Sequence, residues 1–184
     1  MFLINEIVSF LAVNLILTQA LGTSTFFIAA DSRKKLICTS VVITFFTSLG
    51  SVMTYFADRL LPEKFSDLKL LFYTLSVGIL YVLFLYILQL TGTENFSEYK
   101  KYIHISAFNC AVMGTLLTVD EKADTLTEYL FYGIESGLGF ITASLILTSA
   151  YRKLSSAKVP ESFRGFPAML VYLGIISMAV YTLK

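Results

Sequence analysis

Long apolar stretches dominate this chain and are separated by short polar segments. Six stretches of at least 18 residues contain at most one Asp, Glu, Lys or Arg: 7–30, 36–57, 70–93, 102–119, 129–151 and 165–183. The one charged residue inside them is Glu135. A helix needs about 20 residues to cross a hydrocarbon core about 30 Å thick. The pattern therefore predicts an all-α integral membrane protein with six transmembrane helices.

Composition supports the same class of protein. Of the 184 residues 56% are hydrophobic and 15% are charged, and the mean hydropathy is +0.74. Soluble domains average about 25% charged residues, which excludes a soluble globular protein. A net charge of +1 without a long basic run excludes a nucleic-acid partner. No polar loop has room for a separate domain, so we expect a single transmembrane domain over 1–184.

The distribution of Lys and Arg predicts the orientation. If the crossings alternate, nine basic residues lie on one side of the membrane, in the loops around 31–35, 92–101 and 152–164, and five lie on the side of the termini. The side richer in Lys and Arg faces the cytoplasm. We therefore expect a protein of the cell inner (plasma) membrane with both termini on the outer side.

The same topology makes the two halves of the chain opposite in orientation. Three crossings precede the middle loop and three follow it, in a first half of about 1–91 and a second half of about 100–184. This is the arrangement of a 3+3 inverted repeat, in which function tends to lie near the midplane where interrupted helices meet. The halves share no convincing sequence identity, so the repeat is inferred from topology alone.

Two crossings contain residues that interrupt a helix. In the first, the segment 21–25 contains Gly22 followed by three hydroxyl residues. In the fourth, Asn109 and Cys110 lie deep in an 18-residue segment. Asn14 and Asn109 are suited to bond the backbone groups that a broken helix frees. Small and polar residues also mediate contacts between membrane helices, so both an interhelical contact and a midmembrane functional site remain open.

Glu135 is the one Asp, Glu, Lys or Arg within a predicted crossing. A buried carboxylate is costly unless it is protonated, paired or in contact with water, and such a group can belong to an ion or proton path. The alternative is a carboxylate close enough to the outer surface to reach headgroups or water. The sequence leaves both interpretations open.

Two segments of the chain carry specific motifs, NLILTQALG at 14–22 and NCAVMG at 109–114. They resemble the first helix and the N-C-A-V-x-G motif of the RnfA/NqrE branch of the Rnf/Nqr membrane subunits. The pattern continues with YG at 132–133, GLGF at 137–140, VP at 159–160 and FRGFP at 163–167. The resemblance extends over essentially the whole chain, and it is strongest from 102 to 183.

The resemblance implies a fold, partners and a cofactor. Members are six-helix inverted repeats that pair with a sister RnfE/NqrD-type subunit, within Rnf complexes (ferredoxin:NAD oxidoreductases) or sodium-pumping NADH:quinone reductases. Four thiolates, two from each subunit, hold a [2Fe-2S] cluster at the pair's interface, and electron transfer is coupled to movement of sodium ions or protons. This chain would then be a non-catalytic subunit, with flavin and nucleotide sites on other subunits.

One ligand position departs from the family pattern. Aligned on Gly22, the family's first cysteine falls on Ser24, and only the second, Cys110, is present. Either Ser24 and Cys110 hold the cluster with two partner cysteines, a serine oxygen being the harder and weaker ligand, or the cluster has been lost. The first case predicts an electron-transfer subunit. The second leaves a structural subunit, or a small ion transporter that uses Asn14, Asn109 and Glu135.

Overall fold

The computed structural model describes residues 14–23, 33–61, 68–91 and 96–181. Regular structure in these ranges is helical, which confirms the predicted all-α class. The helices are α1 (Leu15–Gln19), α2 (Arg33–Leu60), α3 (Lys69–Leu90), α4 (Phe96–Ala107), α5 (Cys110–Val119), α6 (Leu126–Leu154) and α7 (Phe166–Tyr181).

The described helices include four candidate membrane spans, in agreement with the predicted class of protein. Four segments are long and apolar enough to cross a bilayer: Lys35–Leu60, Lys69–Leu90, Lys100–Val119 and Leu126–Tyr151. They correspond to the second, third, fourth and fifth predicted crossings. The sixth corresponds to α7, which is apolar but has only 16 residues, and the first is described only over 14–23. The count of six crossings, the inverted repeat and the orientation stay predictions.

The helix pair α2 and α6 forms the most extensive contact among the described elements. Two glycines of α6 allow a very close approach. A methyl group added to Gly133 would lie 2.6 Å from the carbonyl oxygen of Thr47, and one added to Gly137 would lie 2.6 Å from the Cα of Thr44. Membrane helices associate through van der Waals packing, which small residues permit by letting the two backbones come together. The glycines at 133 and 137 therefore set the spacing of this pair.

Three hydroxyl residues of α2 bond to the backbone of the helix itself, whereas the buried hydroxyls of Thr39 and Ser40 have no partner among the described residues. The hydroxyls of Thr44, Ser48 and Ser51 each donate to the carbonyl oxygen four residues earlier, at 2.7–2.9 Å. In a bilayer no water competes for these donors, so bonding to the helix's own backbone removes the cost of burying them. This explains how a helix rich in Ser and Thr can cross a membrane.

A charged network ties together the ends of four helices. We use this name for Asp58, Lys69, Tyr73, Asp120 and Tyr129. The ammonium group of Lys69 bonds Asp120 and lies 3.7 Å from Asp58. The hydroxyl of Tyr73 donates to Asp58 at 2.5 Å, and that of Tyr129 lies 3.3 Å from both carboxylates. Since charged groups are far better solvated outside the hydrocarbon core, this network marks one end of the helix bundle.

The start of α6 is fixed by a complete local capping signal. The hydroxyl of Thr125 accepts from the backbone N–H of Glu128, and the Glu128 carboxylate accepts from the N–H of Thr125 at 3.2 Å. This capping box satisfies backbone donors that have no partner within the helix. It fixes the residue at which α6 begins, and therefore how far along the helix axis each later residue lies.

Candidate functional site

The fourth predicted crossing is broken, as the sequence predicts. Helix α4 ends at Ala107, Asn109 is extended at φ −85° and ψ 139°, and α5 begins at Cys110. The side-chain oxygen of Asn109 accepts from the N–H of Ala111 at 3.0 Å. An asparagine at this position satisfies one of the backbone donors that the first turn of a helix leaves free. The chain therefore enters a new helix in the middle of a span.

The first predicted crossing is interrupted as well. Helix α1 ends at Gln19, and Ala20 and Gly22 both have positive φ, of 56° and 84°. Glycine adopts this conformation without a steric penalty, whereas Ala20 carries a Cβ that disfavours it. At the other end of α1, Asn14 caps the helix, and its oxygen accepts from the N–H of Ile16 at 3.0 Å. Each break is thus accompanied by an asparagine that caps a short helix.

The two breaks meet in space. The backbone N–H of Gly22 donates to the sulfur of Cys110 at 2.9 Å, across 88 residues of sequence. A methyl group added to Gly22 would lie 2.8 Å from the ring of Phe140, 3.0 Å from the Cβ of Ala111 and 3.2 Å from the side-chain oxygen of Asn109. The absence of a side chain at 22 is what lets the first break lie against the second.

The amide of Asn109 has an unused donor at this junction. The residue is 2% exposed, and its Nδ2 atom has no partner among the described residues. A buried donor without an acceptor is costly, and it is rare in folded proteins. The Nδ2 atom of Asn109 can therefore donate a hydrogen bond to a group outside the described residues.

Asn14 joins the first break to α6. The residue is 3% exposed, and its Nδ2 atom donates to the carbonyl oxygen of Gly139 at 2.6 Å. Gly139 has no side chain to obstruct this approach, and its added methyl group would lie 3.3 Å from the Asn14 amide. Both oxygen and nitrogen of Asn14 are used, which makes it a bridge between α1 and α6.

Cys110 is the described thiol that fits a metal-ligand role. It is exposed at the surface of the chain, and its sulfur is held by the Gly22 N–H. The described residues contain no group of three or more His, Cys, Asp or Glu that could enclose a metal ion. Ser24 lies outside the described residues. Cys110 fits one ligand of a shared group, because an exposed sulfur leaves the remaining positions to a neighbouring subunit.

Glu135 is not brought into this junction. It is exposed on α6, and no hydrogen bond or ion pair reaches its carboxylate from the residues that the structure describes. The structure therefore places Asn109 and its sequence neighbour Cys110 at the junction and leaves Glu135 apart from them. Asn14 reaches the junction through the short helix α1.

Three residues of the junction were not singled out as site residues in the sequence. Gly22 was expected to loosen the helix but not to bond the thiol, and Gly139 and Phe140 appeared only within the GLGF motif. The glycines could have been suspected, since a glycine within an apolar helix often marks a close backbone approach. Nothing in the local sequence indicates which partner Phe140 contacts.

We expect the cap at Asn109 to be measurable by substitution. Asn109→Ala removes the oxygen that accepts from Ala111 and should lower the free energy of unfolding by about 1 kcal/mol, whereas Asn109→Ser keeps a capping oxygen and should lose less. Thermal unfolding in detergent, followed by circular dichroism, compares the two variants. Equal losses for both would contradict the capping role.

Comparison with known proteins gives a consistent family. A family model described as "Rnf-Nqr subunit, membrane protein" matches residues 3–184. Proteins named as subunits of an ion-translocating oxidoreductase complex, from Shewanella oneidensis, Shewanella baltica and Shewanella loihica, are each 27% identical over 169 residues, which is 90% of this chain and 88% of theirs. The fourth crossing is broken, and NCAVMG begins the helix that follows the break. Because the family model matches nearly the whole chain, this chain belongs to the Rnf-Nqr membrane subunit family.

Proposed function

We propose that the chain forms, with a sister RnfE/NqrD-type subunit, the midmembrane electron and ion conduit of an ion-translocating oxidoreductase complex. In this proposal Cys110 is a sulfur ligand of a [2Fe-2S] cluster that the two subunits share. The observation that carries it is the hydrogen bond from the Gly22 N–H to the sulfur of an exposed cysteine, where two broken helices meet.

The level of the junction supports a midmembrane site. Gly22 lies against Phe140, which comes 14 residues after the first residue of the 29-residue helix α6. At 1.5 Å per residue this is about 21 Å along a helix about 43 Å long. A redox group at half the depth of the membrane divides a long electron transfer into two shorter ones.

The chemistry of the junction supports a sulfur ligand. Thiolates are the usual ligands of iron–sulfur clusters, and hydrogen bonds to their sulfurs are among the features that set the reduction potential. The Gly22 N–H supplies one such bond to Cys110, and the Asn109 amide is a further buried donor at the junction that no described residue accepts. When bound, the cluster would supply one-electron transfer. This chain's own residues would hold the sulfur, exclude water and keep both helix breaks in place.

A similar capping residue in the two halves supports the inverted repeat. Asn14 and Asn109 each accept from the N–H two residues later, both at 3.0 Å, and each begins a short helix. A capping asparagine repeated in both halves is what duplication of a three-helix unit would leave. The proposal includes an inner-membrane location with both termini on the outer side, as the Lys and Arg distribution predicts.

Affinity purification tests the assembly. The tagged chain is extracted from native membranes in a mild detergent, and co-purifying proteins are identified by mass spectrometry. We expect a sister six-helix subunit together with subunits that carry flavin and iron–sulfur groups. Recovery of the chain alone or as a homodimer would contradict the proposal and favour a small ion transporter.

The Ser24→Cys variant tests the ligand set. A thiolate is a softer ligand for iron than a serine oxygen, so this change should raise the iron bound per purified complex or shift the reduction potential of the cluster. Iron analysis and redox-titrated electron paramagnetic resonance measure the two quantities. If no cluster is found in either the wild type or the variant, the chain has a structural role in the complex, and the ligand assignment is wrong.

A further inference from the structure

Glu135 lies on the exposed side of a candidate membrane-spanning helix, and no described residue pairs with its carboxylate. It comes nine residues after the first residue of α6, within the span Leu126–Tyr151. At 1.5 Å per residue this is about 13 Å from the start of the helix. It is also six residues beyond Tyr129 of the charged network, or about 9 Å along the helix. Its backbone therefore lies inside the predicted span, where a charge that faces lipid is costly.

The helix geometry places Glu135 away from the contacts of α6 within the chain. Gly133 and Gly137 contact α2. Glu135 is two positions from each glycine, so it is rotated by about 200° around the helix axis from that contact. The side of α6 between these faces is occupied by α5, to which Ser136 and Tyr132 bond through Thr115 and Thr118. Glu135 lies on the remaining, exposed face.

Two large apolar side chains complete that face. Phe131 is 69% exposed and Leu138 is 46% exposed, and they lie four residues before and three residues after Glu135. Residues at these spacings share one side of a helix. We call Phe131, Glu135 and Leu138 the Glu135 face. One helical turn further on, Gly139 accepts the Asn14 bond, so this face adjoins the candidate site.

Lys122 does not form an ion pair with Glu135. The ammonium group of Lys122 lies over the ring of Tyr132, 5.7 Å from the ring centroid. A charged group facing lipid is expensive, and intramembrane carboxylates generally pair with a cation or lie in water. The aromatic and aliphatic side chains beside Glu135 are apolar, so this face is unsuited to line a water-filled path.

We propose that the Glu135 face is a subunit interface that binds a transmembrane helix carrying a Lys or Arg at the level of Glu135. The occupant must be a helix, since within the hydrocarbon core only a helix satisfies its own backbone hydrogen bonds while facing lipid on its other sides. The negative charge between two apolar side chains fits a basic residue flanked by apolar ones. This inference rests on the proposed assembly, because that assembly supplies the other subunits.

Co-purification of variants tests the pairing. Glu135→Gln keeps the size of the side chain and removes its charge, and Glu135→Lys reverses the charge. We expect recovery of the partner subunit to fall by about tenfold or more with Glu135→Lys and by a smaller factor with Glu135→Gln, as for loss of a desolvated charge pair. Glu121→Gln, which neutralises an exposed carboxylate in the preceding loop, is the matched control and should have no effect.

Two further variants separate the possible partners. Lys122→Met reproduces the Glu135→Gln loss only if the carboxylate is neutralised within its own chain, and that result would overturn the proposal. A photoreactive benzoylphenylalanine at position 131 should cross-link to a subunit segment that contains a Lys or Arg in a membrane helix. Replacing that cation by Glu should then restore recovery of the partner by the Glu135→Lys chain.

The outcomes are distinct from those of the assembly test. Recovery of the wild-type chain without other subunits would overturn both the proposed function and this inference. Normal recovery of partners with Glu135→Gln and Glu135→Lys, or cross-links from position 131 only to lipid or to a second copy of the chain, would overturn this inference alone.

Discussion

Gly137→Ala is expected to destabilise the protein strongly, because a methyl group at this position has no room against α2. The added methyl group would lie 2.6 Å from both the Cα and Cγ2 of Thr44 and 2.7 Å from its Cβ. A backbone atom cannot rotate aside, so α2 and α6 must separate along their contact. Inserting one methyl group into a tightly packed interior typically costs about 1–3 kcal/mol, and here we expect the upper end.

The chain offers a matched control for this substitution. Gly78 lies inside α3, and a methyl group added there meets nothing within 4 Å. Gly78→Ala should leave stability unchanged or raise it by up to about 1 kcal/mol, because alanine favours a helix more than glycine does. Thermal unfolding of both variants in the same detergent gives the comparison. Similar midpoints for the two would show that the α2–α6 contact is looser than the structure has it.

Cys110→Ala is expected to remove the signal of the shared [2Fe-2S] cluster from the purified complex and to leave the iron–sulfur signals of the other subunits. In the proposed function this sulfur is the one described thiol that ligates the cluster, and alanine has no atom to replace it. The Gly22 N–H would lose its acceptor, but the Asn109 cap and the Asn14 bridge would remain. We therefore expect a folded complex that lacks the cluster and its electron transfer. Electron paramagnetic resonance of the reduced complex and iron analysis provide the measurement.

Cys38 supplies the control for the sulfur itself. It lies on α2 and is partly buried, in a chain whose sequence contains two cysteines. Cys38→Ala should leave the iron content, the resonance signal and the melting temperature unchanged. A cluster signal that survives Cys110→Ala, or one that disappears with Cys38→Ala, would show that the ligand assignment is wrong.

The candidate spans could be predicted from the sequence, because charged residues are excluded from the hydrocarbon core of a membrane. The predicted crossing 70–93 corresponds to Lys69–Leu90, and 129–151 corresponds to the span Leu126–Tyr151. Each end differs by at most three residues, since helix ends depend on local caps such as Thr125 rather than on hydropathy alone. The first crossing could be compared only over 14–23.

The helix breaks were also predictable, because their causes are local. Asn109 supplies a capping oxygen to the N–H two residues later, and Gly22 tolerates a positive φ. Both properties belong to the residue and its immediate neighbours. The sequence therefore indicated where each helix is interrupted, at 21–25 and at 108–114, before any packing was known.

Which groups meet across the fold was decided by packing alone. The bond from Gly22 to Cys110 joins residues 88 positions apart, and that from Asn14 to Gly139 joins residues 125 apart. The exposed position of Glu135 likewise depends on which faces of α6 contact α2 and α5. Hydropathy records how much a segment avoids water, and local preferences record where a helix starts or stops. The rotation of one helix against another follows from how glycines and side chains of distant segments fit together, and no single segment contains that information.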